Sequence, residues 1–216
     1  MRTRIVTGFV PVPGHPWANE YQRLGARLLA LPAPMRAFLD DELESCWLAR
    51  LLKTLPPVTH SIHDNPKKNT LEYLAVVHQK SEWLRRAAME DPETDVFVWI
   101  DYGIFKLPGV TEEIILDFLG RVGDRALAIP GCWPKGPVDD RNPCWRFCGG
   151  VVVCPRMQAA VFDEAVKREA ESHIRETRNV SWEVNTWARA ELRGFPVLWY
   201  PADHDQTMFT KYPAGR

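Results

Sequence analysis

An acid at the end of an apolar strand is the first feature of this sequence that can do chemistry. Asp101 closes the run Val96-Phe97-Val98-Trp99-Ile100 and is followed by Tyr102-Gly103. A carboxylate carried out of water in this way is costly unless a cation, a hydrogen-bond donor or solvent meets it, and a divalent metal is one such cation. The plainer reading is an acid that opens a turn, since Asp is common before Gly in loops. Lys80 shares a helical face with Tyr73, Val76, Val77 and Leu84. Its ammonium either snorkels out of an apolar stripe or meets an anion inside. Asp203-His204-Asp205 sets an imidazole between two carboxylates, donors that suit a divalent cation such as manganese and an ordinary polar turn equally well. Glu183 falls in the first turn of an expected helix, where the dipole favours negative charge whatever else the residue does.

The elements that must position these residues follow from apolar periodicity and its breaks. Arg4 to Val10 reads as a buried strand closed by Pro11 and Pro13. A helix is expected from Trp17 to Leu31, with Tyr21, Leu24, Leu28 and Leu31 on one face, and another from Asp41 to Leu55. Val58 to His63 reads as a strand. Asn69, with Glu72 three residues on, can cap a helix running to Met89. After the strand that ends at Asp101, Thr111 with Glu112 and Glu113 opens a helix to Val122, and Arg125 to Pro130 returns as a strand. Gly131 to Pro143, rich in Pro and Gly, is a long loop and a candidate lid. Phe147 to Cys154 is a strand, Pro155 starts a helix, Ser181 caps another that ends at Gly194, and Phe195 to Tyr200 is the last strand.

Strands alternating with helices predict an α/β fold with a largely parallel sheet, in which ligands bind beyond the carboxyl ends of the strands. Those ends carry Thr7 to Pro11, His60 to Asn65, Asp101 to Gly103, Pro130 to Trp133 and Asp203 to Asp205. The 216 residues suit one domain. An apolar content of 45% and a charged content of 25% exclude disorder, collagen and coiled coil. With 27 basic and 28 acidic residues the net charge is −1, without the footprint of a general nucleic-acid binder. No apolar run spans a bilayer, and Met1-Arg2-Thr3-Arg4 leads into a strand, so a cytoplasmic protein is expected. The five cysteines are expected to be reduced; Cys144, Cys148 and Cys154 lack the paired spacing of a structural zinc site. The usual NTPase, α/β-hydrolase and dinucleotide motifs are absent.

Val98-Trp99-Ile100-Asp101-Tyr102-Gly103 resembles the acidic motif that ends the middle strand of the GT-A-type nucleotide-sugar glycosyltransferases. It is most similar to the small bacterial HtrL/YibB-type family, in which a Trp-Ile-Asp-x-Gly stretch replaces the usual Asp-x-Asp. Val6-Thr7-Gly8-Phe9, His78-Gln79-Lys80 and Phe147-Cys148-Gly149-Gly150-Val151 extend the likeness over the larger part of the chain. The resemblance implies a single-domain GT-A-like fold and an enzyme that moves a hexose from a UDP- or GDP-sugar to an acceptor hydroxyl with the help of Mn2+ or Mg2+. In that reading Asp101 holds the metal, and His204 or Asp205 makes up for the second acid, whose place is taken by Gly103. Thr7, Val10, Lys80, Tyr102, Gly149 and Gly150 then contact the nucleotide sugar. Glu183 becomes the general base, sharing catalysis with Asp101. The implied acceptor is a surface glycan or, less in keeping with the net charge, a modified phage DNA base. The alternative is a non-catalytic nucleotide- or sugar-binding module with a degenerate metal motif. Oligomeric state is not readable from these residues.

Overall fold

A computed structural model describes residues 1–12, 18–39, 42–61 and 68–213. Pro13, Trp17, Asp41 and the stretch from 62 to 65, all at expected element ends, lie outside the described residues.

The five-residue apolar run becomes β4 (Val96–Ile100), with every residue buried. On one side it pairs in parallel with β1 (Thr3–Gly8), and β1 pairs in parallel with β2 (Met35–Phe38). On the other side lies β6 (Val151–Pro155), antiparallel to β4 and to β5 (Ala128–Gly131); β8 (Leu198–Pro201) closes the sheet in parallel with β5. The order is β2-β1-β4-β6-β5-β8, a mixed and largely parallel α/β sheet as the alternation predicts. The reversal at β6 has a local cause. A parallel return requires a crossover of a dozen or more residues, usually a helix, and the segment between β5 and β6 forms none.

Alternation along β4 gives the sheet two apolar faces. Phe97 and Trp99 enter one core with Val6, Trp83 and Trp187, while Val96, Val98 and Ile100 enter the other with Ile115 and Phe118. Trp83 and Trp99 stack at 5.5 Å with their planes 8° apart. Gly8 makes room for that stack, because a Cβ there would sit 2.7 Å from the Trp83 ring.

The helices are α1 (Ala18–Leu29), α2 (Trp47–Thr54), α3 (Leu71–His78), α4 (Lys80–Glu90), α5 (Glu112–Arg121), α6 (Arg156–Thr177), α7 (Glu183–Leu192) and α8 (Thr207–Thr210). Several differ from expectation. The helix expected from Asp41 is a 3-10 turn at Leu43–Ser45 followed by α2. Thr70, one residue beyond Asn69, caps α3 by accepting from the Tyr73 N–H at 3.1 Å. The single helix expected up to Met89 breaks at Gln79, whose buried side chain accepts from the Trp47 N–H at 2.9 Å. Ser181 does not cap α7; its hydroxyl accepts from Arg189 at 3.0 Å, and Trp182 occupies the cap position. β3 (Thr59–His60) joins β7 (Asn179–Val180) in a separate two-stranded sheet. The loop expected to act as a lid is pinned to α7 by buried Asn185, which donates to Asp139 and Asn142 carbonyls and accepts from Cys144 N–H. Among the described residues no helix is long and apolar enough to cross a membrane.

Overpacking the Trp83–Trp99 stack is the direct test of this layer. Gly8→Ala is expected to lower unfolding stability by about 1–3 kcal/mol, read as a shifted urea midpoint at unchanged slope.

Candidate functional site

A cleft open to solvent lies beyond the ends of β1 and β4 and is lined by Val10, Tyr21, Lys80, Asp101, Tyr102 and Lys106 among others. Asp101 stands where β4 ends, its N–H donating to the Gly150 carbonyl at 2.9 Å. Its Oδ1 accepts from Trp99 Nε1 at 2.8 Å and pairs with Lys80 Nζ at 3.1 Å. The side chain keeps 30% exposure. Burial works against the charge, but Lys80 and then Lys106 outweigh it and hold the carboxyl below the usual Asp range.

Lys80 does not snorkel. Its side chain is 6% exposed, and Nζ donates to Gly149 O at 2.9 Å and Glu183 Oε1 at 2.9 Å besides pairing with Asp101. An ammonium has three protons, and all three are engaged. Burial alone would lower its pKa; Asp101 and Glu183 raise it above the ordinary lysine value instead. Trp99 and Trp187 present ring faces to Nζ at 5.9 and 6.0 Å.

Glu183 sits behind Lys80 and does not line the cleft. Its side chain is 5% exposed, and Oε2 has no hydrogen-bond partner among the described residues. Gly149 makes room for the pair, since a Cβ there would lie 2.6 Å from Glu183 Oε1. Gly150 packs against Met208 and anchors Asp101 through its carbonyl, so neither glycine borders the cleft. Thr7 is fully buried in β1, its hydroxyl unpartnered among the described residues. Of the residues expected around a nucleotide sugar, Val10, Lys80 and Tyr102 line the cleft.

No protein-family model matches the chain, and no curated protein matches it. Among solved structures it is similar to a glycosyltransferase involved in the glycosylation of the major capsid of PBCV-1. The two share 13% identity with a TM-score of 0.53, over 94% of this chain and 82% of that one. The chain has the fold of a GT-A-type glycosyltransferase. Mouse xyloside xylosyltransferase 1, apo form, also matches at 10% identity and a TM-score of 0.46, over 94% of this chain and 86% of that one, a likeness too slight to carry an argument. The nearer likeness to the HtrL/YibB-type family stands on sequence motifs alone.

The position at which the motif resemblance would set a second acid, Gly103, is closed to a side chain. A Cβ on Gly103 would lie 2.6 Å from the Tyr21 ring, so an aspartate there would displace that tyrosine. Tyr21 in turn accepts from Lys106 Nζ, which also lies 4.6 Å over its ring. Gly25 gives the same service to Tyr102, and Phe9 stacks on Tyr102 at 5.1 Å. The sequence reading missed Tyr21 and Lys106 as cleft residues. Lys106 ends the 3-10 turn that follows Asp101, and its place just after the acidic motif was the available signal. Burial lowers the pKa of Lys106, with the charge of Lys80 adding to it and that of Asp101 opposing; burial and then Lys106 lower that of Lys68.

The expected metal set Asp101, His204 and Asp205 is not gathered. Asp205 Oδ1 accepts from Thr207 N–H at 2.7 Å and from its hydroxyl. His204 turns Nδ1 to Cys132 Sγ at 3.7 Å and sets its ring edge-on to Trp145 at 4.4 Å. Among the described residues the one group of three possible ligands is Cys132, Cys148 and His204. With Tyr21 in the second acid's place and lysines beside Asp101, the residues do not fit the Mn2+ or Mg2+ site that the motif implies.

Two outcomes test the buried cluster. Lys80→Met strands the Glu183 charge and is expected to cost about 3–5 kcal/mol by urea unfolding, most of it restored in the Lys80→Met/Glu183→Gln double variant. Asp101, with its lowered pKa, contributes stability that is complete above 3.8 and lost as pH falls below that value. Lys80, with its raised pKa, contributes stability that is complete below 10.5 and lost as pH rises beyond it. A pH series of unfolding midpoints should fall at both ends, and the acid fall should shrink in Asp101→Asn.

Proposed function

We propose that the chain is a glycosyltransferase that moves a sugar from a UDP- or GDP-sugar to an acceptor hydroxyl. The observation that carries this reading is the Asp101–Lys80 pair on the wall of the cleft at the end of β4. The fold is consistent with it.

The cleft divides by chemistry. Phe9, Tyr21 and Tyr102 offer ring faces suited to a nucleobase. Asp101 Oδ1 is taken, which leaves Oδ2 to accept from a ribose or sugar hydroxyl. Lys106, which lines the cleft beside Tyr21, suits the diphosphate and would stabilise the leaving oxygen as its charge develops. Lys80 has no proton to spare, so its part is to fix Asp101 rather than to touch phosphate. Glu183, buried behind Lys80, acts here as a positioning residue and not as the base that reaches the acceptor. No step is assigned to a divalent cation.

Surface glycan remains the better acceptor than a modified DNA base, since a net charge of −1 gives little phosphate-binding surface. The filled second-acid position favours a second reading, a non-catalytic module that holds a nucleotide or sugar.

Calorimetry with UDP, GDP and a panel of their sugars, with manganese and again with chelator, tests the proposal. Binding is expected in both conditions, weakened about tenfold or more in Lys106→Ala, in keeping with the loss of one charge-assisted hydrogen bond. Absence of binding to every donor would sink it. Binding without release of nucleoside diphosphate in the presence of acceptor extracts would favour the module.

A further inference from the structure

The ends of β5 and β8 and the start of β6 bring two thiols and an imidazole together. Cys132 follows β5, and its N–H donates to Trp145 O at 2.8 Å. Cys148 precedes β6 and donates from its N–H to Pro130 O at 2.7 Å; His204 follows β8, whose extension Ala202 donates to Gly131 O at 2.9 Å. The backbone hydrogen bonds of the sheet edge therefore set the spacing of all three side chains. Cys132 Sγ lies 3.6 Å from Cys148 Sγ and 3.7 Å from His204 Nδ1, and the three ligand atoms all fall within 4.8 Å of one another. A tetrahedral zinc ion with Zn–S near 2.3 Å and Zn–N near 2.0–2.1 Å has an S–S edge of about 3.75 Å and an S–N edge of about 3.5 Å. The Cys132–Cys148 and Cys132–His204 separations match those edges, and the third edge, Cys148 to His204, lies within 4.8 Å and closes toward about 3.5 Å when the ion binds.

We infer that Cys132, Cys148 and His204 form a binding site for a soft divalent cation of the zinc class, with the fourth position open to solvent. Thiol and imidazole are the donors that select such ions over magnesium or manganese. Cys148 is fully buried and Cys132 half-buried, which gives a protected site with a way in. The ring of Trp145 holds His204 edge-on, fixing the imidazole as supporting contacts do in known metal sites. Asp203 and Asp205 place negative charge within reach of both thiols, a field that attracts a cation. Binding replaces the S–H protons with metal bonds and releases up to two protons per ion, with no change of oxidation state. The ion would tie the ends of β5 and β8 to the start of β6. The inference rests on this cluster alone and stands apart from the transferase reading.

The test uses the full chain, purified under reductant, stripped with chelator and titrated with Co2+. One equivalent is expected to give the sulfur-to-cobalt charge-transfer band and the visible bands of tetrahedral cobalt, both bleached by Zn2+. Calorimetry in buffers of different ionisation enthalpy is expected to show proton release. Cys148→Ser and His204→Ala should each weaken Zn2+ binding at least tenfold, while Cys144→Ser, outside the cluster, leaves it unchanged. Should Cys148→Ser fail to fold, His204→Ala carries the comparison. Reduced protein that shows no sulfur-to-cobalt band, or variants that retain it at full strength, overturns the inference.

Discussion

One buried ammonium holds the centre of this molecule. Lys80 Nζ is surrounded by Gly149 O, Glu183 Oε1 and Asp101 Oδ1, at distances that engage all its protons. A buried charge is tolerated only when its partners are complete, and here those partners come from three separate elements: the end of β4, the approach to β6 and the first turn of α7. The arrangement ties the central strand to the helices on one of its faces. Among the described residues it engages one oxygen of Asp101, Oδ1, and so orients this strand-end acid.

Much of this was legible in the sequence, for physical reasons. The apolar run ending in Asp101 could hardly be anything but a central strand, and the hydroxyl of Thr111 ahead of Glu112 and Glu113 marked the start of α5 correctly. Periodicity was less informative where tertiary contacts override local preference. The sequence from Thr70 to Met89 reads as one helix, yet the backbone breaks at Gln79, whose N–H bonds the Val76 carbonyl three residues back while its side chain accepts from the Trp47 N–H. β2 was not recognised, since Met35-Arg36-Ala37-Phe38 has neither alternation nor a β-branched residue, and it owes its place to pairing with β1. α8 is one turn long, too short for a periodic signal.

The site was half legible. Asp101 and Lys80 announced themselves by polarity in apolar surroundings, and both lie at the cleft. Glu183 is legible as a charge at a helix start, while its burial and its ion pair with Lys80 come only from the tertiary fold. Cys132, Cys148 and His204 are too far apart in sequence for any spacing rule, and only the order of the strands brings them together. The filled space at Gly103 is likewise a fact of packing: nothing in Asp-Tyr-Gly says that a tyrosine from α1 covers it.

The interruption between α3 and α4 has a consequence for how this architecture can vary. Had the two been continuous, each residue gained or lost in α3 would have swung Lys80 by a fixed angle about the axis and carried its charge away from Asp101. Instead the second ladder begins afresh at Gln79, whose carbonyl receives the Trp83 N–H and whose amide side chain is moored to α2. The azimuth of the lysine is thus indexed to α2 and not to the length of the preceding helix.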